Sequence, residues 1–451
     1  MHDNDFKIGF NSKATLVSVI SPAIEGHNNE NESKRSLTEL HELLRTLGIK
    51  SQSEFIQKRT HIEAGTVLGT GKLLEIAEVA RNEDSDILVF DFELSASQVR
   101  NIRELTGMTA FDRCHIILEI FASHAKTRDA KIQIEISRLQ YLLPRLTGLW
   151  THFSRQRGGV GVQGGEGEKQ IELDRRMIQE KIEFLKKELD SVMKSRHEQK
   201  KRRKDRAVIA ALVGYTNAGK SSLMNRLCKV SVLEENKLFA TLDPTHRTLN
   251  PDTHPPMILI DTVGFLSNLP NTLIEGFKTT LESAMDADLL IVVCDISDPN
   301  YKKHLEVTHK VLGELGIDEK DQMIVFNKKD LLQDPFVAKL AQRTHPGSFV
   351  ISSFDENDVI NLRRHIAQYF LKKQTSYDLF VPYSEGRVHS TILKNSNVIN
   401  SSHHETGTFY RIKTPEAIFN QLGIHQFILS PQHPRFKDWE ELLAMNKSSI
   451  S

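Results

Sequence analysis

Short apolar runs recur along the chain at residues 15–20, 86–90, 114–120, 207–213, 257–260, 323–326 and 349–351, and each predicts a strand. The second and third alternate with helical periods across residues 37–127, which predicts a small α/β domain. Residues 1–36 are polar outside the first strand, and the Asn-Asn-Glu-Asn-Glu stretch at 28–32 reads as a loop. The period then changes. Ile132, Ile136, Leu139, Leu143 and Leu146 recur at steps of four and three, as do Ile171, Ile178, Ile182, Leu185, Leu189 and Val192. Two such stripes predict an antiparallel helical hairpin, with Pro144 kinking or ending its first arm. A glycine-rich, mobile tip at 158–167 joins the arms beside Arg155 and Arg157. The expected organisation is an N-terminal α/β domain (1–127), the hairpin (128–205), an α/β nucleotide-binding domain (206–373) and a small α+β C-terminal domain (374–451).

Charge adds little globally, because 59 Lys+Arg balance 59 Asp+Glu, but residues 194–206 read KSRHEQKKRRKDR. That basic block suits either a solvated helix end or a contact with an RNA phosphate backbone. Cys114, Cys228 and Cys294 show no metal or CxxC spacing, and so sparse a set suits a reducing compartment. The opening residues form no signal peptide, and no window approaches the roughly 20 apolar residues of a membrane span. The expectation is a cytoplasmic, monomeric protein.

The chemistry begins after the run at 207–213. Gly214-Tyr215-Thr216-Asn217-Ala218-Gly219-Lys220-Ser221 fits GxxxxGK[ST], a loop whose backbone N–H groups cradle a polyphosphate at a helix N-terminus, with Ser222 next in the helix. Lys220 is placed to reach the β- and γ-phosphates, and Ser221 to ligate Mg²⁺. The run at 257–260 ends in Asp261-Thr262-Val263-Gly264, a DxxG in which the carboxylate holds Mg²⁺ through water and the Gly N–H meets the γ-phosphate. The run at 323–326 leads into Asn327-Lys328-Lys329-Asp330. In this NKxD motif the Asp accepts hydrogen bonds from guanine N1–H and its 2-amino group, donors that adenine lacks, so GTP is the nucleotide. Ser352, Ser353 and Phe354 follow the last strand, where backbone N–H groups meet guanine O6; many GTPases have Ala at the position of Ser353. Between the phosphate loop and DxxG, Phe239-Ala240-Thr241-Leu242-Asp243 and Thr245 form a switch I segment, and Thr241 is preferred over Thr245 as its Mg²⁺ ligand and γ-phosphate sensor.

Two further glycine patterns carry less. Gly159, Gly161 and Gly164 spell GxGxxG, but an Arg-rich polar stretch precedes them instead of a strand. Gly65-Thr66-Val67-Leu68-Gly69-Thr70-Gly71-Lys72 is one residue out of register for a phosphate loop, and Leu73 stands where Ser or Thr is needed.

Together these segments resemble the HflX GTPases over roughly residues 60–380. The likeness rests on GTVLGTGKLLEI at 65–76, Leu94-Ser95-Ala96-Ser97-Gln98, Asp112-Arg113, TRDAKIQIEISRLQYLLPRL at 127–146 and RQRGGVGVQGGEGEKQIELDRR at 155–176, then the nucleotide motifs. The hairpin match is the specific part. The resemblance implies a GTPase of the large (50S) ribosomal subunit and its rRNA, acting in ribosome biogenesis, splitting or rescue of stalled ribosomes. It departs from the family pattern at Gly165, Glu168, Lys169 and Ile171 after the tip, and at His246. Alternatives are a GTP-switched RNA-binding module with negligible hydrolysis, or a GTPase for tRNA modification or small-subunit assembly.

Catalysis is expected to rest on positioning and charge through Lys220, Thr241, Gly264 and Asn217. Phe265 stands where many GTPases carry the Gln that orients water. An apolar ring cannot do this, so intrinsic hydrolysis should be slow until a partner orders the switches. Asn217 lies at the loop position where GTPases of this type take K⁺ as a charge-stabilising ion; simple loop capping by the same residue is the competing reading.

Overall fold

The computed structural model describes residues 12–145, 165–204, 207–229, 239, 245–250, 255–266, 284–430, 435–437 and 439, with backbone alone at 165–171, 195–204, 250 and 417. The glycine-rich tip at 158–164 and the switch I residues Ala240, Thr241, Leu242 and Asp243 lie outside the described residues.

The N-terminal sheet is parallel, in the order β2 (Lys50–Lys58), β1 (Lys13–Ile20), β3 (Ile87–Phe90), β4 (Thr109–Asp112). Helices α1 (Glu30–Thr46), α2 (Thr70–Asn82), α3 (Ala96–Thr106) and α4 (Arg113–His124) complete the layer structure. Two expectations are corrected. The stretch at 28–32 is the start of α1, because the Asn29 side chain caps it by accepting from Glu32 N–H and the Glu32 carboxylate accepts from Asn28 N–H. The run at 114–120 is part of α4 and not a strand. Asp112 caps that helix, and almost all its residues are buried, so a continuous apolar run carries no helical period to read.

The hairpin forms as the stripes predict over the described residues; Leu146 and the Ile171 side chain lie outside them. α5 (Arg128–Leu142) packs on α6 (Gly165–Lys204) through a cluster of Ile132, Ile136, Leu139, Ile178 and Ile182, flanked by Leu143, Leu185, Leu189 and Val192. α5 ends where Pro144 falls, in a 3-10 turn at Leu143–Arg145. Arg145 is buried there and donates to the Asp112 carboxylate and to the Tyr141 and Leu94 carbonyls, which fixes the hairpin base to the N-terminal sheet.

The second sheet has the order β10 (Phe349–Val350), β9 (Gln322–Asn327), β8 (Leu289–Asp295), β5 (Val208–Gly214), β7 (Met257–Asp261), β6 (Thr245–Asn250), parallel except for β6 on β7. Both faces are covered, so β5 reads as an unbroken apolar run whose alternate residues enter different cores. Val208, Ala210 and Leu212 meet α7 (Lys220–Leu227) and α9 (Glu356–Lys372), whereas Ile209, Ala211 and Val213 face α8 (Tyr301–Glu314). The latter cluster continues without a break into Leu37, Leu40 and Leu44 of α1 and Ile117 and Phe121 of α4. A third sheet, antiparallel in the order β11 (Thr375–Pro382), β13 (Gly407–Thr414), β12 (Asn397–His404), carries the helices Gly386–Asn395 and Glu416–Leu422 near the C-terminus. Among the described residues no helix is long and apolar enough to cross a membrane.

Candidate active site

β5 delivers the chain into the loop at Gly214, whose φ of 146° would strain any L side chain and whose added Cβ would sit 2.1 Å from the Val293 carbonyl oxygen. Gly219 ends the loop at φ 88°, with an added Cβ 2.4 Å from Asn327 Nδ2. Between them Asn217 takes the left-handed region at φ 58°, which Asn tolerates, and its exposed side chain makes no hydrogen bond among the described residues. Helix α7 starts at once, so its N-terminal N–H groups, including those of Ser221 and Ser222, face the loop.

Lys220 is buried, and its Nζ donates to the Gly214 carbonyl at 3.1 Å and the Tyr215 carbonyl at 2.8 Å. Burial pulls its pKa down to about 8, against the opposing pull of Asp261. Ser221 Oγ donates to Asp261 Oδ2 at 2.6 Å, and Thr262 Oγ1 holds the end of β7 by donating to the Leu212 carbonyl at 2.6 Å. A hydroxyl beside a carboxylate is a hard oxygen pair that fits Mg²⁺, which typically takes few protein ligands and completes its shell with phosphate and water. Among the described residues no cluster of three or more His, Cys, Asp or Glu able to hold a metal occurs.

The DxxG segment lies directly on the loop. Thr216 N–H donates to the Phe265 carbonyl at 2.7 Å and Phe265 N–H to the Gly214 carbonyl at 3.0 Å. Gly264 is wedged in beside them, since an added Cβ would lie 2.7 Å from Thr216 Cα and 2.9 Å from Lys220 Nζ. Val263 and the Phe265 ring are buried in the cluster shared with α1 and α4, as is Phe239, whose ring meets Phe121 edge-on at 4.6 Å. Thr245 opens β6 opposite Asp261.

At the NKxD end Asn327 acts as a hub. Its Nδ2 donates to the Ala218 carbonyl at 3.0 Å, and its Oδ1 accepts from Ser353 N–H at 3.0 Å and Ser353 Oγ at 2.7 Å. Asn327 thus ties three motifs together, and the Ser353 hydroxyl, where many GTPases have Ala, is one of its partners. Ser352 N–H is engaged by Asp358 at 2.8 Å, and Phe354 is exposed beneath the Arg226 guanidinium, 5.5 Å from its centroid. Lys328 sits in the left-handed region at φ 63° with its Nζ 2.7 Å from Asp295, and Lys329 pairs with Asp358 at 2.5 Å. Asp330 remains exposed at the lip.

Sequence reasoning missed what the N-terminal layer brings. Tyr215 stacks on His304 at 3.9 Å and donates its hydroxyl to Glu39 at 2.5 Å; Glu39 in turn pairs at 2.5 Å with Arg113, which also bonds Asp91. Burial disfavours the Arg113 charge, but the Glu39 and Asp91 carboxylates outweigh it and hold the guanidinium above its usual range. No local signal marks Glu39, 176 residues away in sequence from its partner. Asp295 was missed as well, although it ends the apolar run at 289–294, a signal that could have found it.

Comparison with known proteins agrees with this geometry. Residues 34–122 match the family model described as GTP-binding GTPase N-terminal, 124–203 the GTP-binding GTPase Middle Region and 209–328 the 50S ribosome-binding GTPase. The chain is 37% identical over 400 residues to GTPase HflX of Alkalihalophilus pseudofirmus, covering 88% of this chain and 93% of that one. It is 39% identical over 398 residues to GTPase HflX of Lacrimispora saccharolytica, covering 88% and 93%. Against GTPase HflX of Gluconacetobacter diazotrophicus the identity is 36% over 446 residues, covering 91% and 96%. With that similarity spanning nearly its full length, the chain belongs to the HflX family of GTPases.

Proposed function

We propose that the chain binds GTP in the pocket framed by Lys220, Ser221, Asp261, Gly264, Asn327 and Asp330 and hydrolyses it in association with the large (50S) ribosomal subunit and its rRNA. The observation that carries the chemistry is the buried Lys220 beside the Ser221–Asp261 pair, with Gly264 2.9 Å from the amine at its added Cβ. Ser221 and Thr241 would hold Mg²⁺ directly and Asp261 through water, and the ion would supply charge neutralisation on the phosphates. The match to a model described as 50S ribosome-binding GTPase supports the ribosomal partner, and the hairpin and N-terminal layer are the units proposed to meet it. The biological setting is ribosome biogenesis, splitting or rescue in the cytoplasm, performed by a monomer with domains at 1–127, 128–205, 206–373 and 374–451. Phe239 anchors switch I to α4 through its ring.

Potassium is proposed as a second ion at the exposed Asn217 side chain, whose lack of a hydrogen bond among the described residues leaves it open to a ligand. Equal turnover in K⁺ and Na⁺ buffers removes that part. For the main reading, gradient co-sedimentation with each ribosomal subunit should show large-subunit binding that is stronger with a GTP analogue than with GDP. Absence from large-subunit fractions in every nucleotide state contradicts it. Asp330→Asn should shift preference to xanthine nucleotides, whereas unchanged GTP affinity removes Asp330 from guanine recognition.

A further inference from the structure

Thr216 occupies the middle of the phosphate loop, is 6% exposed, and its Oγ1 is buried with no hydrogen-bond partner among the described residues. A buried hydroxyl left unpaired is costly, so its place inside the phosphate loop points to a ligand. Its surroundings name that ligand. A Cβ at Gly264 would lie 2.8 Å from Thr216 Cγ2 and 2.9 Å from Lys220 Nζ, so the Thr216 side chain shares one corner with the DxxG glycine and the loop lysine. The hydroxyl is on the same Cβ as that methyl. This is the γ-phosphate corner of the proposed pocket.

The polar groups of the corner divide by chemistry. Lys220 and the Gly264 N–H are donors, suited to phosphate oxygens and useless as acceptors for an attacking water. Phe265, the residue after DxxG, is 2% exposed with its ring in the shared core and its carbonyl already accepting from Thr216 N–H at 2.7 Å. A side-chain acceptor is therefore missing from the usual position and present, unused, one strand away.

We propose that Thr216 is a further catalytic residue whose hydroxyl accepts a hydrogen bond from the attacking water and orients it toward the γ-phosphorus. The step needs no base in the protein. The water oxygen bonds to phosphorus, the bond to the β–γ bridging oxygen breaks with its electron pair leaving on GDP, and the water protons finish on inorganic phosphate and solvent. Thr216 keeps its own proton throughout. This rests on GTP hydrolysis at the site, and the test separates the two.

Thr216→Val removes the hydroxyl at constant shape, and Thr216→Ser keeps it. Single-turnover hydrolysis by Thr216→Val should fall about 10- to 100-fold with KM for GTP unchanged. Binding of GDP–aluminium fluoride with Mg²⁺ should weaken by about tenfold or more while affinity for a fluorescent GDP stays the same. Thr216→Ser should restore both readouts to within about threefold of the parent. Parent-like turnover by the Val variant overturns the assignment, as does an equal loss in GDP affinity, which marks a loop-shaping role, or equal damage by Ser. A parent chain with no turnover removes the hydrolytic reading itself, a different result from parent turnover matched by Val.

Discussion

Two glycine-rich stretches ending in Gly-Lys, at 65–72 and 214–220, begin with similar composition and end as different objects. In the second, Gly214 and Gly219 hold φ values of 146° and 88°, and a side chain at either would strike backbone or Asn327. In the first, Gly71 has nothing within 4 Å of an added Cβ, and the positive φ falls on Val67 at 66°. Lys220 is buried and turned back on its own loop, whereas Lys72 is partly exposed and pairs at 2.6 Å with Glu75 one helical turn away. The lesson is that glycines make a phosphate cradle only where the backbone cannot accept a Cβ. A GK dipeptide at a helix start does not suffice.

Mutating the two loops in parallel is the severest way to break this contrast. Gly214→Ala should reduce affinity for a fluorescent GDP by about 100-fold or more, because the clash is with main chain that cannot yield, while Gly71→Ala should leave it unchanged. Equal effects in a nucleotide titration would dissolve the distinction. Next in size, Lys220→Ala should lower GTP turnover by about 10²–10³-fold and Lys72→Ala should not change it; steady-state phosphate release reads both.

pH sharpens the same point. With the free-state pKa of Lys220 pulled to about 8, the amine is deprotonated above that pH, and polyphosphate binding must restore its proton. GDP affinity should therefore fall as pH rises from about 8 toward the usual lysine value of 10.5, by at most about tenfold per pH unit, with proton uptake visible by calorimetry in buffers of different ionisation heat. The nucleotide-free fold should gain stability over that window, because the unfolded chain there binds more protons. A pH-independent affinity from 7 to 10 contradicts the burial of Lys220. The smallest effect concerns the contact that only the second loop has. Glu39→Gln weakens the Tyr215–Glu39–Arg113 chain and should lower the unfolding temperature by a few degrees, an effect of about 1–3 kcal/mol, in a thermal melt.

Legibility followed the range of the forces. The phosphate loop, DxxG and NKxD were readable because each is a local backbone demand placed after an apolar strand, and the hairpin because its two stripes have matching periods. Residues 114–120 misled for a physical reason, since a helix buried on nearly every side has no polar face to reveal its period. The start of α1 was hidden in a polar run whose Asn29 is a cap and not a loop residue. Glu39 and His304 were invisible as parts of the site, because their contacts with Tyr215 exist only once α1 and α8 share a core. Thr216 was legible as a loop member, but its orphaned hydroxyl required the fold.

On the proposed function, this site turns over slowly until a ribosomal partner engages. Single-turnover GTP hydrolysis with and without purified large ribosomal subunits tests it most directly. Slow hydrolysis alone and a rise of about tenfold or more with the subunit are predicted; the same rate in both conditions would contradict it.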